Sequence, residues 1–241
     1  MLNTDAVDKI SAILSGEFVC YGYRKISMQL KQEDYIINHK KVYRLMDESS
    51  LLLGKAIRTN GKRQWVKRRK IKAIKPMKYL CLDIKYLWIH GEKRFYYLLT
   101  IVDVYSRKIM EWNLQKSVRK IDVLNLFRII NLQYGIKGGN VRNDNGAQFI
   151  AHDVRHFLRA AEANQEFTHV ATPEENAYIE AYHSILETKV VQRFEFESYY
   201  EAKLTIETYV DFYNNRRLHG GIDFKTPAQK WNEFAEKEII L

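Results

Sequence analysis

The spacing of the apolar residues first changes near residue 77. Before residue 54 they recur three or four residues apart, the period of an amphipathic helix, and from residue 77 onward they form β-rich, alternating runs. The helical groups are Ile10, Ile13 and Leu14, then Ile26 and Leu30, then Val42, Leu45 and Met46. The β-rich runs are MKYLCLDIKYLWI (77–89), RFYYLLTIVDVYS (94–106) and KIMEWNLQ (108–115). The sequence therefore predicts three short helices followed by an antiparallel meander.

The rest of the chain alternates between helical and strand patterns. We expect helices at about 120–135 and 151–163, strands at about 139–144 and 166–171, and two long helices at about 173–192 and 198–217. This order is typical of an α/β fold in which a mixed sheet is flanked by helices. The predicted organisation is a small helical subdomain at 1–53, a basic linker at 54–76 and an α/β domain at 77–241.

Positive charge is concentrated in the linker. Between Gly54 and Lys78 the chain has eleven Lys or Arg residues and no Asp or Glu, within a protein of net charge +10. Such a segment is either a solvated linker or a contact to a phosphate backbone, and Trp65 together with the folded segments on both sides favours the contact. The linker residues predicted to contact DNA are Lys67, Arg68, Arg69 and Lys70.

The second and third predicted helices, at about 23–32 and 39–48, are joined by a short polar turn, the outline of a helix-turn-helix. In that motif the second helix enters the major groove of DNA, and here it carries Lys40, Lys41 and Arg44. The pattern alone leaves a DNA-binding unit and a plain helical subdomain equally open.

Signals for compartment and membrane are few. Two cysteines, Cys20 and Cys81, cannot form a disulfide framework or a tetrahedral zinc site, which favours a reducing compartment. The N-terminus does not resemble a signal peptide, and no stretch approaches the about 18 apolar residues of a membrane span. We expect a cytoplasmic protein without a membrane partner.

Three acidic residues are candidates for chemistry. Asp83 lies in the middle of the first strand, where Asp is disfavoured, Asp144 follows a strand in VRNDNGAQF (141–149), and Glu180 lies inside a helix. Each has an ordinary explanation: a solvent-facing strand position shared with Lys85, a hairpin turn of the Asn-Gly type, and a polar helix stripe facing water. Together, however, the three acids can converge at one point beside the sheet.

Three converging carboxylates offer the hard oxygen ligands that Mg²⁺ and Mn²⁺ prefer. Two such ions about 4 Å apart activate an attacking oxygen and stabilise the leaving oxygen in a phosphodiester displacement. We therefore expect Asp83, Asp144 and Glu180 to be the catalytic residues and the ligands of two metal ions. Helix capping and the helix dipole account for the neighbouring acids Glu174 and Glu175.

These blocks resemble the DDE transposase and retroviral integrase superfamily. The likeness lies in DIKYLWI around Asp83, RNDNGAQF around Asp144, PEENAYIEAYHSIL around Glu180, and the 35 residues between the last two acids. YGYRKISMQL and KKVYRLMDESSLL resemble the helical segment before the core of insertion-sequence transposases of the orfB type, and YNNRRLHGGIDFKTPAQKW resembles their terminal signature. The likeness spans about residues 20–231.

The resemblance implies an RNase H-like core, divalent metal, and cutting and joining of the element's own DNA ends. It assigns the metal carboxylates to Asp83, Asp144 and Glu180. The partners it implies are double-stranded DNA at the element ends and at the target, further copies of the chain on that DNA, and a protein from an upstream frame, orfA. The expected location is the bacterial cytoplasm, in association with the nucleoid.

The chain departs from this pattern at two places. Many relatives carry Lys or Arg seven residues after the catalytic Glu, facing DNA, whereas this chain has Glu187, on nearly the same helix face as Glu180. Many also have His-Ser before the second Asp, where this chain has Arg142 and Asn143. Arg142 can instead supply a phosphate contact.

Further DNA contacts are expected around the acids and in the C-terminal tail. They are assigned to Arg142, Gln148, Asn176, Arg216 and Arg217. For Asn176 and His183 the pattern leaves site lining and ordinary surface equally open. Asn214 and His219 in the tail either bind phosphate or cap a helix with the neighbouring cations.

The leading interpretation is a transposase that frees a 3′-OH at each element end and uses it to attack a second phosphodiester. A nuclease of the same fold that only hydrolyses DNA is an alternative. A different class is a DNA-binding regulator without catalysis, which the intact acidic triad disfavours and Glu187 favours.

Overall fold

The computed structural model describes residues 3–54, 73–168 and 176–239, without the side chains of 235 and 237–239. The chain divides into two compact units. Of the described residues, the helical unit contains 3–54 and 217–226, and the sheet unit contains those from 73 to 216 and from 227 to 239. The predicted linker contacts Lys67, Arg68, Arg69 and Lys70 and the acids Glu174 and Glu175 lie outside the described residues.

The described part of the helical unit contains α1 (Asn3–Leu14), α2 (Tyr23–Gln32) and α3 (His39–Glu48). Their apolar faces meet in one core that includes Ile10, Ile26, Leu30, Val42 and Met46, which recur at helical spacing in the sequence. Asn38 caps α3, because its side chain accepts a hydrogen bond from the backbone N–H of Lys40 at 2.8 Å. The helices predicted at 23–32 and 39–48 are confirmed.

A second segment, residues 217–226, completes the helical unit. Leu218 is buried in the same apolar core. Its backbone N–H donates to the Tyr21 hydroxyl at 2.9 Å, and the Gln32 side-chain amide donates to the carbonyl of Phe224 at 3.3 Å. The α/β domain expected at 77–241 is therefore interrupted, because the apolar side chain of Leu218 packs among the N-terminal helices.

One mixed sheet forms the centre of the sheet unit, with the described strands in the order β3-β2-β1-β4-β5. The strands are β1 (Tyr79–Ile89), β2 (Arg94–Asp103), β3 (Ile109–Gln115), β4 (Asn140–Asn143) and β5 (Asn164–Phe167). β1, β2 and β3 pair antiparallel, whereas β4 lies parallel to β1 and β5. The predicted meander and mixed sheet are confirmed.

The helices of the sheet unit are α4 (Lys120–Tyr134), α5 (Ala147–Ile150), α6 (His152–Ala160), α7 (Ala177–Leu186), α8 (Tyr199–Asn215) and α9 (Pro227–Ile239). A π-helical turn, Glu187–Val191, follows α7 directly, where the sequence predicts one continuous helix to residue 192. The sequence patterns do not predict α5 or α9. Among the described residues, no helix combines the length and apolar character needed to cross a membrane.

The two faces of β1 have different neighbours. Leu80 and Leu82 lie in an apolar core with Phe127 of α4. Successive strand residues point to opposite faces of a sheet. On the other face, Asp83 contacts His183 of α7, and Lys85 contacts Glu187 directly after α7. The ordinary explanation for Asp83, a solvent-facing strand position, is therefore wrong, because α7 packs against that face of β1.

Candidate active site

Asp83 and Asp144 occupy corresponding positions on two neighbouring parallel segments of the chain. β1 and β4 pair in parallel with Cys81 opposite Arg142. Two residues further along each chain segment are Asp83, within β1, and Asp144, directly after β4. Because parallel strands keep their register, the two carboxylates leave the sheet at the same level.

Local contacts orient the Asp83 carboxylate. Its Oδ1 accepts a hydrogen bond from the backbone N–H of Ile84 at 2.8 Å, and its Oδ2 lies 3.5 Å from Nδ1 of His183 on α7. The Asp83 side chain is 26% exposed and that of His183 is 11% exposed. The interpretation of His183 as ordinary surface is therefore wrong, since the ring contacts the acid at the candidate site.

Glu180 lies on α7, three residues and therefore about one helical turn before His183. The buried residues Ile179, Tyr182 and Leu186 fix α7 against the sheet unit, and Glu180 is half-buried beside them. The third acid thus lies on the same helix as His183, the residue that contacts Asp83.

The acidic side chains do not form a closed cluster. Within residues 3–54, 73–168 and 176–239, no three His, Cys, Asp or Glu side chains are grouped so that they could hold a metal ion. Two of the acids instead have local partners: Asp83 accepts from the backbone N–H of Ile84, and Asp144 Oδ1 accepts from that of Gly146 at 2.9 Å. Coordination by all three acids stays a prediction.

The stretch after β4 turns into a short helix and not into a hairpin. Gly146 precedes α5, and β4 has parallel neighbours on both sides, so the hairpin explanation for Asp144 is wrong. Gly146 has φ −60°, which any residue adopts. A Cβ there would instead overlap the Gln148 amide and lie 3.0 Å from Asp144 Oδ1. Glycine at 146 thus leaves room for the side chains of Asp144 and Gln148 to approach the backbone of residue 146.

Arg142 has a different partner from the one expected. Its Nη2 lies 2.7 Å from Oε2 of Glu166 on β5, its Nε donates to the same oxygen at 3.2 Å, and its side chain is 11% exposed. The guanidinium is engaged within the sheet by the neighbouring strand, and a phosphate contact from Arg142 stays a prediction.

Asn176, the residue before α7, is buried, so its interpretation as ordinary surface is also wrong. Its Oδ1 has no hydrogen-bond partner in the described part of the chain. A contact from Asn176 to DNA stays a prediction.

The tail residues have separate roles. Asn214 is buried and bonds the backbone of Ile109 twice: its Oδ1 accepts from the N–H at 2.9 Å and its Nδ2 donates to the carbonyl at 3.0 Å. The expected phosphate contact for Asn214 is therefore wrong. Arg216 is exposed, pairs with Asp211 at 3.3 Å and belongs to the sheet unit.

Arg217 and His219 belong to the helical unit. Nη1 of Arg217 lies 3.1 Å from Nδ1 of His219. His219 is buried. The burial of His219 disfavours the phosphate-binding alternative for this residue. Contacts from Arg216 and Arg217 stay predictions.

The basic side chains of α3 are accessible. Lys40 and Arg44, one turn apart, are exposed, and Lys41 is half-buried. Arg44 lies 3.6 Å from Glu48 in an exposed pair that restrains it little. The opposite face of α3 carries the buried Val42, Leu45 and Met46.

One charged contact at the site is missing from the sequence-based expectations. Lys85 Nζ lies 2.7 Å from Oε2 of Glu187, so the strand bearing Asp83 is joined to the end of the helix bearing Glu180. In the sequence, Lys85 follows Asp83 by two residues and so lies on the same face of the strand. Glu187 follows Glu180 by seven residues and so lies on nearly the same face of the helix. Only the packing of α7 on β1 identifies them as a pair.

Family models match most of the chain. Two models described as integrase core domain match residues 73–173 and 161–227, and a model described as HTH-like domain matches residues 3–58. The HTH-like match resolves the choice left open for the N-terminal helices in favour of the helix-turn-helix class.

Similar proteins include two transposases of insertion sequences. The transposase for insertion sequence element IS904 of Lactococcus lactis subsp. lactis (strain IL1403) is 27% identical over 238 residues, covering 93% of this chain and 93% of that protein. The transposase for insertion sequence element IS629 of Shigella sonnei is 27% identical over 217 residues, covering 87% of this chain and 73% of that protein.

Solved structures with a similar fold come from retroviruses. A chain of the simian T-cell lymphotropic virus intasome in complex with PP2A regulatory subunit B56 gamma has a TM-score of 0.60 at 14% identity, covering 88% of this chain and 70% of that chain. The HTLV-2 integrase catalytic core domain in complex with magnesium has a TM-score of 0.50 at 16% identity, covering 66% of this chain and 98% of that chain. The expected RNase H-like fold class is thus confirmed. Residues 73–227 thus match models of the integrase core domain, residues 3–58 match an HTH-like domain, and the chain is similar to insertion-sequence transposases over most of its length.

Proposed function

We propose that this protein is a DDE transposase that cuts and joins DNA at insertion-sequence ends by metal-dependent phosphodiester hydrolysis and transesterification. The observation that carries the proposal is the arrangement of three acids on three elements. Asp83 lies within β1 and Asp144 directly after the neighbouring parallel strand β4. Glu180 lies on α7, whose His183 contacts Asp83.

The donor set fits a hard divalent ion. The three side chains are carboxylates, the oxygen ligands that Mg²⁺ and Mn²⁺ prefer, and each is at least partly accessible to solvent. We propose that Asp83, Asp144 and Glu180 bind two such ions. Bound at these acids, the ions would activate the attacking oxygen and stabilise the leaving one. The HTLV-2 integrase core structure in complex with magnesium supports this assignment.

The two chemical steps use the same groups of this chain. In the first, the oxygen of a water molecule attacks the phosphorus at the element end, a new P–O bond forms, and the bond to the 3′ oxygen breaks to leave a 3′-OH. In the second, that 3′-OH attacks a target phosphodiester, and the displaced oxygen leaves on the target strand. His183 orients Asp83, and Gln148 beside Gly146 donates to the DNA near Asp144.

DNA reaches the site through the other parts of the chain. We propose that Lys40, Lys41 and Arg44 of α3 contact the major groove at the element ends, since two of them are exposed on one face. The linker cations would contact phosphates on any sequence. The acting form on DNA is a homo-oligomer, and an orfA protein from an upstream frame is a further partner.

Conservative substitutions of the three acids test the proposal. In Asp83→Asn, Asp144→Asn and Glu180→Gln, cleavage and joining of duplexes bearing the native element ends should fall by more than the about 10- to 100-fold that loss of an outer-shell partner costs. DNA affinity should stay within about twofold of wild type, because each change removes one ligand charge at nearly constant volume.

The matched control is Asp153→Asn, since Asp153 is an exposed acid paired with Lys120 at 2.7 Å, and it should retain full activity. Wild-type activity in Glu180→Gln would refute the third ligand. Nicks without joined products from the wild-type protein would identify a nuclease. DNA binding without any metal-dependent cleavage would identify the regulator.

A further inference from the structure

α7 and the turn after it contact β1 at two successive levels. His183 lies 3.5 Å from Asp83, and Glu187 lies 2.7 Å from Lys85. The two strand residues are about 7 Å apart along β1, and the two helix residues are about 6 Å apart along α7. The near-equal spacing means that helix and strand run side by side here. The Lys85–Glu187 contact therefore fixes the position along β1 at which His183 meets Asp83.

The Lys85–Glu187 pair is only partly accessible to water. The Lys85 side chain is 18% exposed and that of Glu187 is 36% exposed. Exposed ion pairs contribute little, but a partly buried charge that loses its partner is costly. Glu187 also begins the π-helical turn, in which the Gln192 N–H donates to the Glu187 carbonyl at 2.9 Å. The pair therefore lies where α-helical geometry ends.

We propose that the Lys85–Glu187 ion pair is a positioning clamp that sets the distance of Glu180 from Asp83. The inference rests on the proposed function and adds two residues to the site. Lys85 and Asp83 share one face of β1, and Glu187 and Glu180 lie on nearly the same face of one helix, so a shift of α7 along β1 would separate the two acids.

A direct phosphate contact by Lys85 is the competing role. The ammonium is engaged by Glu187 and mostly covered, whereas the cations of α3 are exposed. Moreover, a phosphate contact would require the Glu187 carboxylate to remain beside the bound phosphate. The clamp and the phosphate contact can be distinguished by removing the charge of Lys85. Its removal weakens metal binding if Lys85 is part of the clamp, and it weakens DNA binding if Lys85 contacts a phosphate.

The test compares Lys85→Met, Glu187→Gln and the double variant in the full-length protein. Calorimetric titration with Mn²⁺ alone measures metal binding, and titration with element-end duplexes measures DNA affinity. We expect each single variant to have about 10- to 100-fold lower affinity for Mn²⁺ and about 10- to 100-fold lower cleavage of element-end duplexes. DNA affinity should stay within about twofold, and the double variant should be no worse than the poorer single one.

Lys85→Arg keeps the pair and should stay near wild type, which separates loss of the clamp from loss of folding. Lys137→Met and Glu162→Gln are the matched controls, because that Lys–Glu pair is also 2.7 Å long but is 76% and 64% exposed. These two control variants should leave Mn²⁺ binding, cleavage and DNA affinity unchanged.

Weakened DNA binding with unchanged Mn²⁺ binding in Lys85→Met would overturn the clamp in favour of a phosphate contact. So would a gain of cleavage in Glu187→Lys. Variants that behave as wild type in both titrations would also overturn it. The Mn²⁺ titration needs no DNA, so it decides on the clamp even if the wild-type protein failed to cut element ends and the proposed function were wrong.

Discussion

Cys81 lies two residues before Asp83 on β1 and is fully buried. Burial raises the pKa of its thiol to about 12. The reactive species of cysteine is the thiolate, and at pH 8 a thiol of that pKa is ionised in only about one molecule in 10⁴. Its position beside the acids therefore gives it no role as a nucleophile at neutral pH.

A maleimide reagent at pH 8 should accordingly modify Cys20, which is partly exposed, and leave Cys81 unmodified until the protein unfolds. Mass spectrometry of the native and urea-unfolded protein distinguishes one modified thiol from two. A Cys20→Ser variant is the control and should take up no reagent while folded. Rapid labelling of that variant in its native state would contradict the burial.

At the scale of elements, α8 supports the edge of the sheet. β3 is the last strand on its side, and Asn214 near the end of α8 bonds both backbone groups of Ile109, the first residue of β3. The Asn214 side chain accepts from the backbone N–H of Ile109 and donates to its carbonyl, as the backbone of a neighbouring strand would.

Asn214→Ala should lower the free energy of unfolding by about 1–3 kcal/mol, because it leaves a buried N–H and a buried carbonyl without partners. Asn215→Ala is the matched control. Asn215 is exposed and bonds only the nearby Asp211 among the contacts described, so its loss should change stability by less than about 0.5 kcal/mol. Urea unfolding of both variants measures the difference, and equal losses would refute the role of Asn214.

Elements with a regular apolar period could be predicted from the sequence, and polar side chains with distant partners could not. α2, α3 and the three-strand meander follow from spacing alone. Arg142 and Asn214 look like DNA ligands because both are polar and lie near signature motifs. Their partners, Glu166 and the backbone of Ile109, are set by strand order and by the packing of α8. For α9, Pro227 after Thr226 was a usable start signal.

The candidate site also has parts that the sequence predicts and parts that it does not. The adjacency of Asp83 and Asp144 follows from two strands that can be recognised in the sequence. The contacts of Lys85 with Glu187 and of His183 with Asp83 depend on where α7 lies along β1, which no local pattern specifies.

At the scale of the whole molecule, the charge of +10 is the largest signal for a polyanionic partner. If the linker lies along DNA, neutralising Lys67, Arg68, Arg69 and Lys70 together should weaken binding to all sequences alike. Each phosphate contact contributes about 0.9 to the slope of log affinity against log salt, so the slope should fall by about 3 to 4 units. Binding titrations across a salt series measure this.

A triple variant of Lys40, Lys41 and Arg44 on α3 is the comparison. It should reduce the preference for element-end over random duplexes, because side chains of a recognition helix reach base edges. An unchanged salt slope in the linker variant would mean that the segment is a solvated linker. An unchanged preference in the α3 variant would remove α3 from sequence recognition.

The membership of residues 217–226 in the helical unit has a consequence for synthesis on the ribosome. The three N-terminal helices emerge first, yet Leu218, which shares their core, is added 172 residues after Met46. At roughly 5–20 residues per second, the helices wait about 10–30 s for it. A nascent or prematurely terminated chain therefore exposes the apolar surface that Leu218 covers. The helical unit becomes complete only after almost all of the sheet unit has been translated.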